Sequence, residues 1–456
     1  MPSLCKRDMK QDPQPKKVPS RREREFAVME LIILCAAAVN AMLGAGDYSN
    51  NDAENSRLAT VYSLSKFGSW NIDRPAGEAP IPFEQGTIDK VMVNGHLLSS
   101  KPPMITLWMT GEYLLLNRAF GWDLDDDESL DKIMRFMTMT LVGGSYLLVG
   151  LFFAKTQRLF KTDPLTRALL LFCVLFCTQL WGFATHLNNH VPAAAMLMVA
   201  LYFTIGLFKG IRRPRPWRFA AFGLAGGLVP TLDMPATIFV AIAGLYLFVK
   251  FPAKTIAIAG MAAAAPLLIH AGAMWMATGD LRPVQMRDDV YLYEASYWRN
   301  PQGIDALNEP KGTYLFHMTL GRCGLFSLYP ILLAGMAGAV RALARPRMPA
   351  REFILAGALG FVILTAYYVF KTNNYGGEAY GFRWYIVAMP PLLLMAEPIF
   401  ETMRVRWKWL FAGLMIGVSF YSAFECARQP WGANREWTCR LFLGPSYGVV
   451  WPENRK

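Results

Sequence analysis

The sequence of 456 residues has little charge, little histidine and no metal-binding motif. Asp, Glu, Lys and Arg make up 18% of the chain, against about 25% in a typical soluble domain. Five histidines and seven cysteines are present, without a Cys-x-x-Cys pair or a histidine-rich segment. The composition excludes a disordered chain, a disulfide-stabilised miniprotein and a coiled coil. We predict no cofactor and no metal site.

Apolar sequence takes the place of the missing charge. Hydrophobic residues account for 54% of the chain, and Lys and Arg outnumber Asp and Glu by 46 to 34. The apolar stretches, most of them long enough for a bilayer, lie at 26–46, 133–154, 166–185, 190–208, 217–232, 235–250, 254–276, 323–340, 352–370, 384–400 and 409–427. The pattern predicts an all-α polytopic membrane protein with about eleven transmembrane helices.

The connecting segments alternate between two kinds. One kind is basic, and the other is long or rich in Asp, Asn, Gly and aromatic residues; the second kind comprises 47–132, 186–190, 276–322, 371–383 and 428–456. Because basic loops stay in the cytoplasm, the alternation predicts a protein of the cytoplasmic membrane with a cytoplasmic N-terminus. The second kind of segment then faces outward.

Three parts follow from this topology. Residues 1–25 are basic and polar and are predicted to be a disordered cytoplasmic segment. Residues 26–427 form the transmembrane domain, and 428–456 form a short outer tail. The apolar stretch 102–120 is predicted to be a helix lying at the membrane interface, within the outer loop 47–132. Counting it as a span would move every later basic loop outside.

The outer loop 47–132 begins with a cluster of acids. Asp47, Asp52 and Glu54 follow the first apolar stretch, and Arg57 lies one helical turn after Glu54. One interpretation is a solvated loop start with a Glu54–Arg57 ion pair. The other is a carboxylate held at the membrane surface as a general base.

Three further segments carry polar residues at the predicted membrane surface. Lys101 precedes two prolines, so it is either a fixed ligand for a lipid phosphate or a snorkelling lysine. Asn188 and His190 belong to a short turn. Its two histidines, His186 and His190, could form a metal pair, but a hydrogen-bonded turn is the more frequent case. Asp233 either begins the next span or is a functional carboxylate at the membrane edge.

The segment 371–383 combines glycines, aromatic residues and a cation. Arg383 can bind a phosphate in bidentate fashion. Tyr375 and Trp384 can stack on a sugar ring or belong to the interfacial aromatic belt. Cys426 and Cys439 both fall on the predicted outer side, where a disulfide and two free thiols are both open alternatives.

Taken together, these segments resemble the GT-C superfamily of polytopic glycosyltransferases, in particular its protein O-mannosyltransferase-like and aminoarabinose-transferase-like groups. The resemblance rests on ordered short motifs: Asp52 to Arg57 after the first span, Gly95-His96-Leu97, Ser100-Lys101-Pro102-Pro103, Asn188-Asn189-His190 and Gly381-Phe382-Arg383-Trp384. The family pattern has an Asp-Glu pair with an arginine two residues after the glutamate. Here Glu54 lies three residues before Arg57 and Asp52 five.

The resemblance implies transfer of a sugar from a polyprenyl-phosphate donor to a lipid, glycan or protein acceptor on the outer face, with inversion and without a metal. Its partners would be the donor, the acceptor and membrane lipids, with no nucleic acid. The implied roles are a catalytic base at Asp52 or Glu54, with Asp52 ranked first; donor phosphate binding by Lys101, Arg57 and Arg383; and substrate binding by Asp47, His96, Asn188, His190, Tyr375 and Trp384.

The alternative is a transporter or flippase of lipid-linked sugars. A transporter is expected to have repeated halves and broken helices at the membrane midplane, whereas the acids here gather in one outer loop. Convergence of Asp52 or Glu54 with Lys101 and Arg383 on one outward cavity would favour the enzyme.

Overall fold

The computed structural model describes residues 20–75, 77–432 and 436–443. Most of the predicted disordered N-terminal segment and most of the predicted outer tail lie outside these described residues. Helix α1 begins at Arg21, inside the segment predicted to be disordered, because Ser20 and Glu23 form a reciprocal capping box at its start.

The first half of the chain contains nine helices and one β-hairpin within the described residues. They are α1 (Arg21–Leu43), α2 (Asp52–Phe67), β1 (Lys90–Val93), β2 (His96–Ser99), α3 (Pro103–Phe120), α4 (Asp127–Met137), α5 (Gly144–Phe160), α6 (Pro164–Phe176), α7 (Leu180–Phe183), α8 (His190–Phe208) and α9 (Pro216–Leu232). A π-helical segment, Thr138–Gly143, joins α4 to α5.

The second half is helical throughout its regular elements. The helices are α10 (Thr237–Lys250), α11 (Pro252–Lys254), α12 (Met261–Thr278), α13 (Lys311–Thr319), α14 (Leu325–Leu328), α15 (Leu333–Ala344), α16 (Arg351–Lys371), α17 (Met389–Met395), α18 (Glu397–Glu401), α19 (Arg406–Arg428) and α20 (Trp437–Leu443). A π-helical segment, Thr255–Gly260, joins α11 to α12. Short 3-10 turns lie at Met234–Ala236, Val284–Met286, Asp288–Tyr291, Tyr297–Arg299, Gly303–Ala306, Pro330–Leu332 and Arg383–Ala388.

The all-helical polytopic class is confirmed. Within the described residues, six helices are long and apolar enough to cross a membrane, namely Arg21–Leu43, Asp127–Phe160, His190–Phe208, Pro252–Thr278, Arg351–Lys371 and Arg406–Arg428. Helices also occupy the other predicted stretches, but three of those are broken. The stretch 384–400, for example, is a 3-10 turn followed by α17 and α18, each with proline in its first turn. The number of eleven spans stays a prediction.

The buried core runs between the long helices. Its largest apolar cluster joins α1, α5, α6, α8, α15, α16 and α17, through residues such as Val149, Leu197 and Leu393. The side chains of the core are therefore packed inside the bundle, while the outer surfaces of α1, α12 and α19 remain apolar and exposed. Exposed apolar helix surface of this kind is suited to lipid.

Helix α3 forms where the interfacial helix was predicted. It is not among the six long apolar helices. It contacts α2, α4, α9 and α12, and it exposes Trp108 and Leu115 on its free side. Glu112 accepts hydrogen bonds from Trp108 and from Thr140 of the π-helical segment. The location of α3 at the membrane interface stays a prediction.

The β-hairpin was not predicted from the sequence. Its two-residue turn is Asn94-Gly95, with φ of 53° and 83°, the left-handed geometry that Asn-Gly favours in tight hairpins. Val91, Val93 and Leu98 of the hairpin pack against α12 and the segment that follows it. The hairpin is thereby packed against the bundle within the predicted outer loop 47–132.

Candidate active site

The first turns of α2 hold the backbone of the segment that enters the hairpin. Asp52 Oδ1 accepts a hydrogen bond of 2.7 Å from the Ile88 N–H. The Ser56 hydroxyl donates to the Asp89 carbonyl oxygen at 2.6 Å. A bond of 3.0 Å from the Trp298 indole N–H to the Ile88 carbonyl holds the segment from the other side. The position of Asp89 is therefore fixed from two directions.

The hairpin register brings Asp89 beside Lys101. Lys90 is paired with Ser99, and the Ser100 N–H donates to the Asp89 carbonyl oxygen at 3.0 Å. Asp89 Oδ2 lies 2.5 Å from Lys101 Nζ, and both side chains are less than one fifth exposed. Burial lowers the pKa of the Lys101 ammonium, and Asp89 opposes this effect. Lys101 is thus a largely buried lysine that is paired with Asp89.

Arg57 is a second buried cation next to this pair. Its residue is 2% exposed. Nη1 donates to the Ala53 carbonyl oxygen at 2.9 Å, and Nη2 donates to Asn189 Oδ1 at 3.0 Å. The Nε–H group is buried without a hydrogen-bond partner. Burial lowers the pKa of Arg57 to about 10, with Asp89 opposing the shift, so the guanidinium stays protonated at neutral pH.

Arg383 completes the group from the opposite half of the chain. The loop before it has positive φ at Gly376 and Gly377, and a Cβ at Gly376 would lie 3.2 Å from Arg383 Cγ. Glycine therefore lets the loop backbone lie tightly over this side chain. The guanidinium carbon lies 5.2 Å from the ring centre of Trp431, and Arg383 Nε is buried without a hydrogen-bond partner.

Arg57, Lys101 and Arg383 form what we call the cation cluster. Burial lowers the pKa of Arg383, and Asp89 raises it, as it does for the other two cations. Asp89 is the one carboxylate whose charge acts on all three cations, among the described residues. Two of the cations carry buried N–H groups that lack an acceptor. Such a site is suited to an anion with several oxygens, such as a phosphate.

Glu54 is the carboxylate closest in sequence to Arg57, and its pairing differs from the one predicted. Its Oε2 accepts hydrogen bonds from the Ser49 N–H at 3.0 Å and from the Ser49 hydroxyl at 2.8 Å. The intrahelical Glu54–Arg57 ion pair is not formed, since Arg57 binds Ala53 and Asn189 instead. Burial raises the pKa of Glu54, and the hydrogen bonds from Ser49 and the charge of Arg57 lower it less.

A buried histidine–carboxylate pair adjoins the cation cluster. His190 Nδ1 lies 2.8 Å from Asp233 Oδ2, and both side chains are less than one tenth exposed. Electrostatic interactions from Arg57 and Arg383 reach His190. The Asn189 amide also donates to the Leu232 carbonyl oxygen at 2.9 Å. The first turn of α8 and the last turn of α9 therefore meet directly beside the cations.

Comparison with known proteins decides the fold. No protein-family model matches the chain, and no curated protein sequence is similar to it. The apo structure of ArnT from Cupriavidus metallidurans is similar, with a TM-score of 0.52 and 11% identity over 85% of this chain and 62% of that one. The chain has the GT-C fold. The predicted resemblance is confirmed at the level of the fold.

Other GT-C structures are similar at lower scores. The apo oligosaccharyltransferase of Archaeoglobus fulgidus has a TM-score of 0.49 and 12% identity over 90% of this chain and 57% of that one. ArnT from Cupriavidus metallidurans bound to undecaprenyl phosphate has a TM-score of 0.48 and 12% identity over 84% and 62%. The chain thus spans about three fifths of the length of these proteins. With its six long apolar helices it is an integral membrane protein.

Within this GT-C fold, three predicted substrate residues have other contacts. Asp47 forms a two-point ion pair with Arg135 of α4. His96 is on β2, half exposed, with Nδ1 3.3 Å from Asp73. Asn188 makes three hydrogen bonds within its own turn. Its neighbour Asn189, which was not predicted, is the residue that binds Arg57.

The remaining two predicted residues lie in the loop around Arg383. The Tyr375 hydroxyl donates to Glu309, and the Arg322 guanidinium carbon lies 4.3 Å from the Tyr375 ring centre. Trp384 packs on Tyr368 at 5.4 Å between ring centres. Both aromatic residues therefore take part in packing around Arg383, and their roles in sugar stacking or in an interfacial belt stay predictions.

Asp89 is the residue that prediction from the sequence missed. Its only signal was the Asn94-Gly95 turn between two alternating apolar segments, which would have predicted the hairpin and its cross-strand neighbours. The described residues contain no group of three or more His, Cys, Asp or Glu side chains arranged to hold a metal. Cys426 and Cys439 are both buried and are not joined by a disulfide.

Proposed function

We propose that the chain is a membrane glycosyltransferase that moves a sugar from a polyprenyl-phosphate donor to a lipid, glycan or protein acceptor on the outer face. The observation that carries the proposal is the cation cluster. Its three members come from α2, from the end of the hairpin and from the loop before α17, and only the tertiary fold brings them together. The GT-C fold supports the same function.

The cation cluster suits the leaving group of this reaction. In the donor, the phosphate bears one charge and is bonded to the sugar and to the polyprenol. When the bond from the anomeric carbon to the phosphate oxygen breaks, that oxygen keeps the electron pair, and the phosphate gains its second negative charge. Fixed cations stabilise this developing charge in the transition state. The unpaired Nε–H groups of Arg57 and Arg383 are available to bind phosphate oxygens.

We assign the general base to Glu54 and rank Asp52 second. Asp52 Oδ1 is bound to the Ile88 N–H, so its carboxylate is a positioning group for the segment that carries Asp89. Glu54 has a pKa raised by burial, which makes it a stronger proton acceptor than an ordinary glutamate. Glu54 would take the proton of the acceptor hydroxyl as that oxygen attacks the anomeric carbon.

The stereochemistry follows from this arrangement. The hydroxyl attacks on the face opposite the departing phosphate, so a single displacement inverts the anomeric centre. Glu54 ends the step protonated, and the polyprenyl phosphate, now separated from the sugar, is left bound to the cation cluster. The cations supply the electrophilic stabilisation, so we propose a reaction that needs no metal ion.

The apolar pockets along α10 and α16 are the proposed site for the polyprenyl tail. One pocket is lined by Met234, which directly follows Asp233 in the chain, together with Ile238 and Ile363. Farther along the same two helices, a second pocket is lined by residues that include Ala243 and Phe353. The two pockets lie at increasing distance along α10 from the His190–Asp233 pair.

Mass spectrometry of cell-envelope glycans tests the proposal, because it detects the loss of any sugar from any acceptor. Cells that lack the protein should lose a sugar from one class of glycan, and the wild-type chain should restore it. Arg383→Gln should fail to restore it, whereas Arg118→Gln, in α3, should restore it. Identical glycans with and without the protein would refute the proposal. A sugar-loaded carrier lipid that accumulates on the inner leaflet would indicate a flippase instead.

A further inference from the structure

We propose that Asp89 is a positioning residue. It is the counter-ion that holds protonated Lys101 in the cation cluster until the donor phosphate replaces it as the partner of Lys101. The inference rests on the proposed function, because it concerns how the same site binds its ligand. Asp89 touches no reacting atom in this scheme. It acts through Lys101.

The placement of Asp89 is built into the fold. Its backbone is held by Ser56 of α2 and by the Ser100 N–H of the hairpin. The preceding residue, Ile88, is bound on one side by Asp52 and on the other by Trp298. Four contacts thus fix a carboxylate whose Oδ2 lies 2.5 Å from Lys101 Nζ. Such fixation is typical of a group whose position matters to a site.

The charges around Lys101 explain why a counter-ion is needed there. Arg57 faces it from α2 and Arg383 faces it from the loop before α17. On its remaining sides Lys101 has uncharged neighbours from the hairpin, α3 and α12, among them Ser99, Thr106 and Thr278. Tyr291, from the segment after α12, faces Asp89 rather than the lysine. Burial and two arginines disfavour the ammonium form of Lys101, and Asp89 favours it.

A lysine binds phosphate through its ammonium form, which has charge and three N–H donors. In the free protein, Asp89 keeps Lys101 in that form. When the donor enters, phosphate oxygens replace Asp89 as the acceptor, and the phosphate charge then stabilises the ammonium. Without Asp89, the pKa of Lys101 in the empty site falls, so the fraction of protein ready to bind phosphate falls as pH rises through that lower pKa.

The test is equilibrium binding of a polyprenyl phosphate to the full chain in lipid nanodiscs, from about pH 7.5 to about pH 9, above the second ionisation of a phosphate monoester at about pH 6. We expect nearly constant affinity for the wild type. Asp89→Asn, which keeps the shape of the side chain, should lose affinity as pH rises, by up to about tenfold for each pH unit above the lowered pKa of Lys101. Asp125→Asn, on the exposed surface of the same outer loop, is the matched control.

A double variant separates charge from structure. Asp89→Asn combined with Lys101→Arg should regain a constant affinity, because arginine stays protonated throughout. Asp89→Glu, which keeps the charge, should also show a constant affinity even if binding is weaker. The thermal unfolding temperature of each variant reports whether it folds.

The outcomes distinguish the inference from the function. If the wild type does not bind polyprenyl phosphate at any pH, the proposed function fails. If the wild type binds and Asp89→Asn follows the same pH profile, the counter-ion role is wrong while the function stands. If Asp89→Asn binds normally and loses turnover equally at every pH, Asp89 is a base and the inference is overturned.

Discussion

Two charge clusters in this molecule differ in how their cations are paired with carboxylates. At one end of the bundle, Glu30 of α1 binds two arginines, Arg158 of α5 and Arg167 of α6, and the glutamate is 2% exposed. Arg167 also donates to the Thr162 carbonyl oxygen at 3.0 Å. At the other end, the charge of Asp89 acts on all three members of the cation cluster, while Glu54 acts on Arg57 and Asp305 on Arg383.

The difference lies in how many donors are left without an acceptor. In the cation cluster, Arg57 Nε and Arg383 Nε are buried and make no hydrogen bond. Buried polar groups in folded proteins are nearly always paired, so an exception calls for an explanation. The donor phosphate of the proposed function would supply an acceptor to both groups. In the Glu30 cluster, by contrast, the glutamate itself is the acceptor for both arginines.

Lys101→Ala, in the cation cluster, should cause the largest loss of sugar transfer. It removes a charged hydrogen bond that strengthens as the phosphate leaves, worth about 2–4 kcal/mol. The expected loss in kcat/KM is roughly thirty- to a thousandfold, because each 1.36 kcal/mol is about tenfold. The measurement is sugar transfer by purified protein. Lys66→Ala, which breaks a surface pair with Asp123 in the same outer loop, is the control. Transfer at the wild-type rate by Lys101→Ala would contradict the phosphate assignment.

Glu54→Gln should give the next largest effect, a loss of roughly a hundredfold or more in kcat with donor binding retained, because the amide cannot accept a proton. Asp52→Asn should lose less, since its oxygen can still accept the Ile88 N–H. The opposite order would restore Asp52 as the base, in agreement with the ranking from the sequence.

The pH profile offers a second check of the base. Glu54 must be ionised to act, and burial raises its pKa. The rate should therefore fall on the acidic side at a higher pH than the ordinary glutamate pKa of about 4.3. A rate that stays constant down to that pH would exclude Glu54 as the base.

Glu30→Gln should affect stability and not turnover. The change leaves two arginines around an uncharged side chain, at a cost on the order of 2–3 kcal/mol, because half of Arg158 is in contact with solvent. The thermal unfolding temperature should fall, while kcat per folded molecule stays unchanged. Glu25→Gln, in the exposed pair with Arg21, is the control. Normal stability with lost turnover would mean that the two clusters do not differ as argued.

Much of the fold could be predicted from the sequence because lipid imposes one requirement on every span. A bilayer needs about twenty apolar residues in a helix, and that length is visible in the chain at α1, α8 and α16. The breaks within 323–340 and 384–400 were not visible. They depend on how proline-containing turns pack against neighbouring helices, which hydropathy does not report.

The residues of the candidate active site were likewise predicted only in part. Arg57, Lys101 and Arg383 were predicted from short motifs, and the fold brings them together. Asp89 was missed because its role depends on cross-strand register and not on its neighbours in sequence. The Glu54–Arg57 pair was one of two interpretations of the helical spacing. It is not formed, because Glu54 binds the nearby Ser49 and Arg57 binds the distant Asn189. Local patterns suggested these residues, and tertiary contacts determined their partners.

Asp47→Asn should give the smallest effect, although the motif pattern had placed Asp47 in the substrate site. The carboxylate pairs with Arg135, and both side chains are largely open to solvent. Exposed ion pairs contribute little to stability, and no member of the cation cluster contacts this pair in the described residues. We expect transfer within about twofold of wild type, as for other exposed pairs, and the same for Arg135→Gln. A large loss of transfer in Asp47→Asn but not in Arg135→Gln would return Asp47 to the substrate site. Equal losses in both would mean that the pair holds the start of the outer loop in place, because only a shared structural role makes the two residues equivalent.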